Sequence, residues 1–187
     1  MDPQIQSTMK LLAALVASIT LSATSFGQAP LGWTHSATME KEMGGEGKWY
    51  LNLHAKEIIP VRVIEQKIVI TLDELDTLMT MVVKKTTMKI ASREVPVETK
   101  FPCMSFFGTT SDNYPVELHV LVTQENVYSF YAMTLALGAP LPSERGFNLA
   151  DWQSAMISDK PMRPETHSKY LGALTVIKSR LDSLHGD

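Results

Sequence analysis

Cys103, the only cysteine in this 187-residue chain, is the first residue that could do chemistry. It lies in "TKFPCMSFFG" (99–108), where the alternation of side chains predicts a β-strand. A nucleophilic cysteine needs a nearby cation or helix N-terminus, whereas apolar surroundings raise the pKa of its thiol. Alternation sends Lys100 to the opposite face and leaves Cys103 on the face of Phe101. We therefore expect a buried, unreactive thiol; the alternative is a catalytic Cys103–His119 pair across neighbouring strands.

Two histidines lie in alternating strand sequence beside polar residues. His54 shares a predicted strand face with Asn52, and His119 shares one with Glu117. The two histidines and Glu117 could act as catalytic residues on the sheet face, or could bind zinc if the strand register brings all three together. The candidate catalytic residues are therefore His54, His119, Glu117 and Cys103. We nevertheless favour a solvated sheet face for both histidines over a catalytic or zinc-binding role.

A histidine and two methionines recur every four residues in "HSATMEKEM". A helical turn would stack His35, Met39 and Met43 on one face. Imidazole and thioether ligands suit Cu(I), so this segment is a candidate copper site. The alternative is a simple linker without metal chemistry.

Other motifs that would identify an enzyme are missing from the sequence. "GGEGKW" fails the phosphate-loop spacing, because Trp49 replaces the hydroxyl residue, and no G-x-S-x-G occurs. We expect no cofactor. The net charge of −3 gives no electrostatic reason to expect nucleic acid as a partner.

The N-terminal sequence has the three-part pattern of a secretory signal peptide. Lys10 is followed by an apolar run from Leu11 to Leu21 and then by small residues. This pattern predicts a signal peptide over 1–27, cleavage near Gly27–Gln28, and a secreted or periplasmic protein. The apolar run is too short to span a bilayer, and no later stretch is long enough, so no membrane span is expected.

Glycines and strand periodicity then divide the rest of the chain. Residues 28–48 read as a flexible leader arm that ends in a glycine-rich joint, and 49–187 as a single domain. The domain opens with two predicted strands, "WYLNLHAKEI" and "IPVRVIEQKIVIT". Thr71 and Glu74 form a capping box that predicts the start of a long helix. Its apolar stripe comprises Leu72, Leu75, Leu78, Met79, Val82, Val83 and Ile90.

Three further strands are predicted in "REVPVETKFPCMSFFG", "PVELHVLVTQ" and "VYSFYAMTLAL". Turn residues between them indicate an antiparallel meander with a tight turn at Gln124–Asn126. Both faces of the last strand are apolar, which is typical of a central strand.

Two helices complete the predicted fold. Asn148 can cap a short helix in "LADWQSAMI", with Asp151 in its first turn. A longer C-terminal helix carries an apolar seam of Tyr170, Leu174, Ile177, Leu181 and Leu184. We expect this seam to dock on its own domain, which favours a monomer; the alternative is a dimer through the same residues. The predicted fold is α+β, in the order ββα–βββ–αα, with about five mainly antiparallel strands packed by the long central helix and the C-terminal helix.

The sequence therefore favours an exported, non-enzymatic binding module for a protein or a small apolar ligand held between sheet and helices. This expectation depends on the lack of catalytic motifs and on the abundance of methionine and aromatic residues. The alternatives are a secreted or periplasmic hydrolase that uses the polar sheet residues, and a copper carrier that uses the His/Met segment.

Overall fold

The computed structural model of the chain describes residues 28–43, 46–52 and 58–184. Within them lie one sheet of seven strands, four α-helices and a 3₁₀ turn at Pro142–Arg145. The strands are β1 Trp33–His35, β2 Lys48–Asn52, β3 Pro60–Gln66, β4 Lys89–Glu94, β5 Cys103–Thr109, β6 Pro115–Val122 and β7 Val127–Met133. The helices are α1 Ala37–Met43, α2 Leu72–Lys85, α3 Leu149–Met156 and α4 Pro164–Ser183. The predicted signal peptide (1–27) and His54 lie outside the described residues. Of the helices in the described ranges, none combines the length and apolarity needed to cross a bilayer.

All neighbouring strands pair antiparallel, in the order β1-β2-β3-β7-β6-β5-β4. The α+β class with an antiparallel sheet is thus confirmed. Strand β7 occupies the middle of the sheet, as its two apolar faces predicted. The tight turn between β6 and β7 is also present, since the Thr123 amide donates to the Asn126 carbonyl over 2.9 Å.

The sheet has two strands more than the predicted five, and both are at its edges. The segment 28–48, predicted as a leader arm, instead contains β1 and α1, and β1 pairs with β2 through Thr34 and Leu51. Aromatic burial explains this difference. The indole of Trp33 packs edge-on against that of Trp152, with ring centroids 5.0 Å apart.

The other additional strand, β4, lies where the sequence pattern predicted the end of the central helix. The capping box begins α2 as expected, because the Glu74 carboxylate accepts from the Thr71 amide (2.9 Å). The helix ends at Lys85, where the extended backbone of the β-branched Thr86 stops it. Ile90 therefore lies in β4 and not on the helical stripe.

Strand β4 pairs with β5 through an irregular register. The pairing shifts by one residue between Ile90 and Ser92, which marks a β-bulge. A Cβ at Gly108, on the partner strand, would lie only 2.0 Å from the Lys89 carbonyl oxygen. Only glycine permits this close approach of the two backbones.

One face of the sheet is covered by α2 and α4. In the predicted seam of α4, Leu174, Ile177 and Leu181 are buried in the core with residues of β5 and β6. The Tyr170 hydroxyl donates to the Ile70 carbonyl over 2.6 Å, and Leu184 is exposed. The seam thus docks on its own domain as expected, and its central residues are not available to a second chain in this fold.

The opposite face is covered by α3, the 3₁₀ turn and residues 28–43, which we call the N-terminal segment. Its core is aromatic and includes Tyr50, Phe130, Phe147 and Trp152. The sheet is therefore the middle of three layers. His119 of β6, which was expected on a solvated sheet face, is enclosed by this layer.

Candidate functional site

A network of polar side chains lies inside the molecule, on the face of the sheet covered by α3. Ser105 of β5 pairs directly across the strands with His119 of β6. Glu117 lies two residues before His119, on the same face of the strand. The His119 Nδ1 lies 2.8 Å from the Ser105 Oγ, and its Nε2 lies 3.1 Å from a Glu117 carboxylate oxygen. The exposed fractions of Ser105, Glu117 and His119 are 2%, 0% and 4%. The expectation of a solvated surface for His119 was wrong.

The 3₁₀ turn completes the hydrogen bonding of Glu117. The second oxygen of its carboxylate accepts from the Ser143 amide (2.8 Å) and from the Ser143 hydroxyl. Burial raises the pKa of the Glu117 carboxyl, but the hydrogen bonds from His119 and Ser143 outweigh burial, and the pKa lies below its ordinary value. Glu117 is therefore a buried carboxylate stabilised by donors from two elements.

The contact with Glu117 determines that one particular ring nitrogen of His119 carries a hydrogen atom. Because the Glu117 carboxylate only accepts, the Nε2 of His119 must carry hydrogen. The imidazole stacks on the Phe147 ring (centroids 5.4 Å apart) and meets the Phe107 ring edge-on. Aromatic rings and hydrogen bonds thus hold the ring in one orientation.

Cys103 lies at the end of this network as a buried thiol. Its exposed fraction is 0%, and its Sγ is 3.8 Å from the Ser105 Oγ. Burial raises the pKa of Cys103 to about 12, so almost no thiolate forms at neutral pH. Its expected burial is confirmed. The residue opposite His119 is Ser105, while Cys103 pairs with Leu121.

Chemically, Ser105, His119 and Glu117 resemble a nucleophile, base and carboxylate in one line. Their burial separates them from any substrate in this conformation. The three clefts described below are lined by other side chains. The three side chains form a buried hydrogen-bond network, in which each has a partner, and this network joins the sheet to the 3₁₀ turn.

The predicted copper ligands lie on two elements. His35 ends β1, and its Nε2 is 2.6 Å from a Glu40 carboxylate oxygen. Met39 and Met43 are on α1, and Met43 is exposed. Among the described residues, no group of three or more His, Cys, Asp or Glu side chains could hold a metal ion. The His/Met copper site stays a prediction.

The largest of the three clefts lies between the N-terminal segment and α3, and we name it the Trp33 cleft. It has a volume of about 560 Å³. Its apolar wall includes Leu31, Trp33 and Trp152, and its polar wall includes Asn52, Asn148, Asp151 and Ser154. Trp152 is completely buried, and its Nε1 has no hydrogen-bond partner among the described residues.

A second cleft of about 420 Å³ lies beside the first, and we name it the Tyr50 cleft. Its lining includes Thr34, His35, Lys48 and Tyr50, and it shares Trp33 with the Trp33 cleft. Trp33 therefore forms the boundary between the two.

A third, smaller pocket lies between α2 and the sheet. Its volume is about 130 Å³, and its lining includes Ile64, Met81, Val82 and Val127. It lies where an apolar ligand was expected, but a ligand site typically measures about 300–1,000 Å³. This pocket has room for a single apolar side chain.

Sequence reasoning missed several residues of these sites. Ser105 lies two residues after Cys103, on the same face of the strand, and this alternation was the available sequence signal for the network. Trp33 was not singled out, because its segment was assigned to the leader arm. Asp151 was identified only as a residue in the first turn of α3, which it is.

Comparison with known protein families, characterised proteins and solved structures finds no match to this chain. Its function must therefore be inferred from its own residues.

Proposed function

We propose that this protein is an exported, non-enzymatic binding module that holds a small molecule in the Trp33 cleft. The observation that carries the proposal is the cleft itself. Its volume of about 560 Å³ lies within the usual range of ligand sites, and it combines an aromatic wall with a few polar groups.

The position of Phe147 supports a binding role over a catalytic one. Its ring stacks on His119 on one side and lies 6.0 Å, centroid to centroid, from the Trp152 ring on the other. Phe147 thus separates the buried network from the side chains of the Trp33 cleft. A ligand in this cleft would contact Trp33 and Asp151, and would not reach Ser105 or His119.

Export is supported by the sequence pattern around Lys10 and Leu11–Leu21 alone. A ligand outside the cytoplasm would enter the open Trp33 cleft directly. No second protein is needed to form this cleft, because residues of this chain line it. The proposal therefore replaces the expected apolar ligand between sheet and helices with a ligand on the α3 side of the sheet.

A bulky side chain at the cleft tests this proposal. Ser154 is exposed and lines the Trp33 cleft, so Ser154→Phe should fill it without disturbing the core. We expect a library of fragment-sized organic molecules to give amide shifts around Trp33 and Asp151 in nitrogen–proton NMR spectra. Ser154→Phe should weaken the binding of these fragments at least about tenfold.

Ser158→Phe is the matched control, because Ser158 is also exposed but does not line the cleft. It should bind fragments as the wild type does. A fragment screen without any shift at the cleft would refute the proposal. Equal binding by both variants would place the ligand elsewhere and would refute it as well.

A hydrolase is the second candidate, because Ser105, His119 and Glu117 have the hydrogen-bond order of a catalytic triad. We expect no such activity from the folded protein, since Ser105 is 2% exposed. A fluorophosphonate probe, which labels activated serines, should leave Ser105 unmodified. Ser105→Ala should not change hydrolysis of p-nitrophenyl acetate. Stoichiometric labelling at Ser105 would instead favour the hydrolase.

A further inference from the structure

The Trp33 cleft presents hydrogen-bond donors and acceptors side by side. Asp151 can only accept, whereas the hydroxyl of Ser154 both donates and accepts. The side-chain oxygen of Asn148 already accepts from the Ala150 amide (2.9 Å), which leaves its amide nitrogen to face the cleft's ligand as a donor.

This mixture excludes three simpler kinds of ligand. An apolar ligand would remove water from Asn148, Asp151 and Ser154 without replacing their hydrogen bonds, at a cost of about 1–3 kcal/mol for each group. An anion would meet the Asp151 carboxylate, which is the only charged side chain among the described residues that line this cleft. A simple cation would leave the donors unpaired. A neutral ligand with many hydroxyl groups can satisfy both donors and acceptors.

Trp33 adds a rigid aromatic surface to this polar wall. Its indole is half-buried and packs edge-on against Trp152 and Phe147, with centroid distances of 5.0 and 6.5 Å. A ring held in this way contributes contact area with little loss of conformational entropy on binding. The apolar C–H face of a sugar ring is complementary to such a surface, while its hydroxyl groups point outward to polar partners.

The adjoining Tyr50 cleft extends the surface beyond one ring. It shares Trp33 with the Trp33 cleft and adds polar groups from Thr34 and Lys48. The geometry points to a neutral carbohydrate of two or more units that stacks one ring on Trp33 and crosses from one cleft to the other. This inference deepens the proposed function and rests on it.

The test uses cellobiose, maltose and chitobiose as probes, titrated to millimolar concentrations into the folded chain. At least one should shift the indole signal of Trp33 and the amide signals of Asn148, Asp151 and Ser154. Trp33→Ala should abolish these shifts, because it removes the stacking surface. Asp151→Ala should weaken binding at least about tenfold, because a hydrogen bond to a charged group contributes about 1.5–3 kcal/mol.

Asp112→Ala is the matched control, since Asp112 is an exposed aspartate outside both clefts. It should bind as the wild type does, and thermal unfolding should confirm that each variant is folded. If fragments bind in the Trp33 cleft but no saccharide does, the carbohydrate inference is wrong while the binding function stands. If short peptides or tetramethylammonium bind there in place of saccharides, it is likewise overturned. If nothing binds the cleft, both proposals fail.

Discussion

At the scale of single residues, Glu117 is the most consequential side chain of the core. Its carboxylate is fully buried and receives hydrogen bonds from His119 and from both the amide and the hydroxyl of Ser143. A buried charge is tolerated only where donors replace the water that it has lost. Glu117 therefore connects the middle of the sheet to the 3₁₀ turn that precedes α3.

Replacing Glu117 with glutamine tests this connection. Glu117→Gln places an amide nitrogen where the carboxylate accepts hydrogen bonds, so the free energy of unfolding at pH 7 should fall by about 2 kcal/mol. Urea denaturation followed by tryptophan fluorescence measures this change. Glu125→Gln is the control, because Glu125 is exposed, and it should change the stability by less than about 0.5 kcal/mol.

The pH dependence of the same variant has a defined sign. The pKa of Glu117 in the folded protein lies below its ordinary value of 4.5. Its stabilising contribution is therefore complete above the unfolded pKa and is lost as the pH falls through the folded pKa. The stability difference between wild type and Glu117→Gln should be largest at neutral pH and should shrink in acid. A difference that grows on acidification would contradict this role.

The residues of the network were only partly predictable from sequence. Apolar neighbours and strand alternation were enough to predict the burial of Cys103. The same alternation placed Glu117 and His119 on one face, but it does not say whether a face is covered. The partner of His119 depends on the register between β5 and β6, which alternation leaves open and which selects Ser105 over Cys103.

At the scale of elements, α4 shows how one helix can be buried on one side only. Leu174 is completely buried, whereas Val176, two residues later, is 70% exposed. Residues two apart on a helix lie on different faces. The helix therefore provides its own internal control for the effect of burial.

Substitution by aspartate at Leu174 and at Val176 distinguishes the buried face of the helix from the exposed one. Leu174→Asp places a charge without a partner in the core and should lower the free energy of unfolding by about 4 kcal/mol or more, which is a large part of the stability of a typical domain. Val176→Asp should change it by less than about 1 kcal/mol. Circular dichroism and thermal unfolding measure both effects. A folded, stable Leu174→Asp chain of smaller size on size-exclusion chromatography would show instead that this face joins two chains.

Element boundaries show where sequence patterns stop being informative. Periodicity and the Thr71–Glu74 pair predicted the start of α2 correctly. Its end was missed because Ile90 continues the helical spacing, although the strand that contains it pairs with β5. Such pairing is a long-range contact, and a local pattern does not contain it.

At the scale of the whole molecule, the sequence predicted the α+β class but not the third layer. Helix α3 has only eight residues, and the N-terminal segment is followed by a glycine-rich stretch. Neither pattern indicates that they meet over the sheet through Trp33 and Trp152. Since that meeting creates the Trp33 cleft, the proposed ligand site could not be predicted before the fold was known.

The bulge between Ile90 and Ser92 has a further consequence, for how the molecule behaves in crowded solution. Strands β1 and β4 form the two edges of the sheet, and an exposed edge can add a strand from another chain and start an aggregate. Strand β1 offers only three residues for such pairing, and β4 interrupts its ladder with the bulge and carries the exposed charges of Lys89 and Glu94. Edges of this kind in a seven-stranded sheet disfavour edge-to-edge growth into fibres.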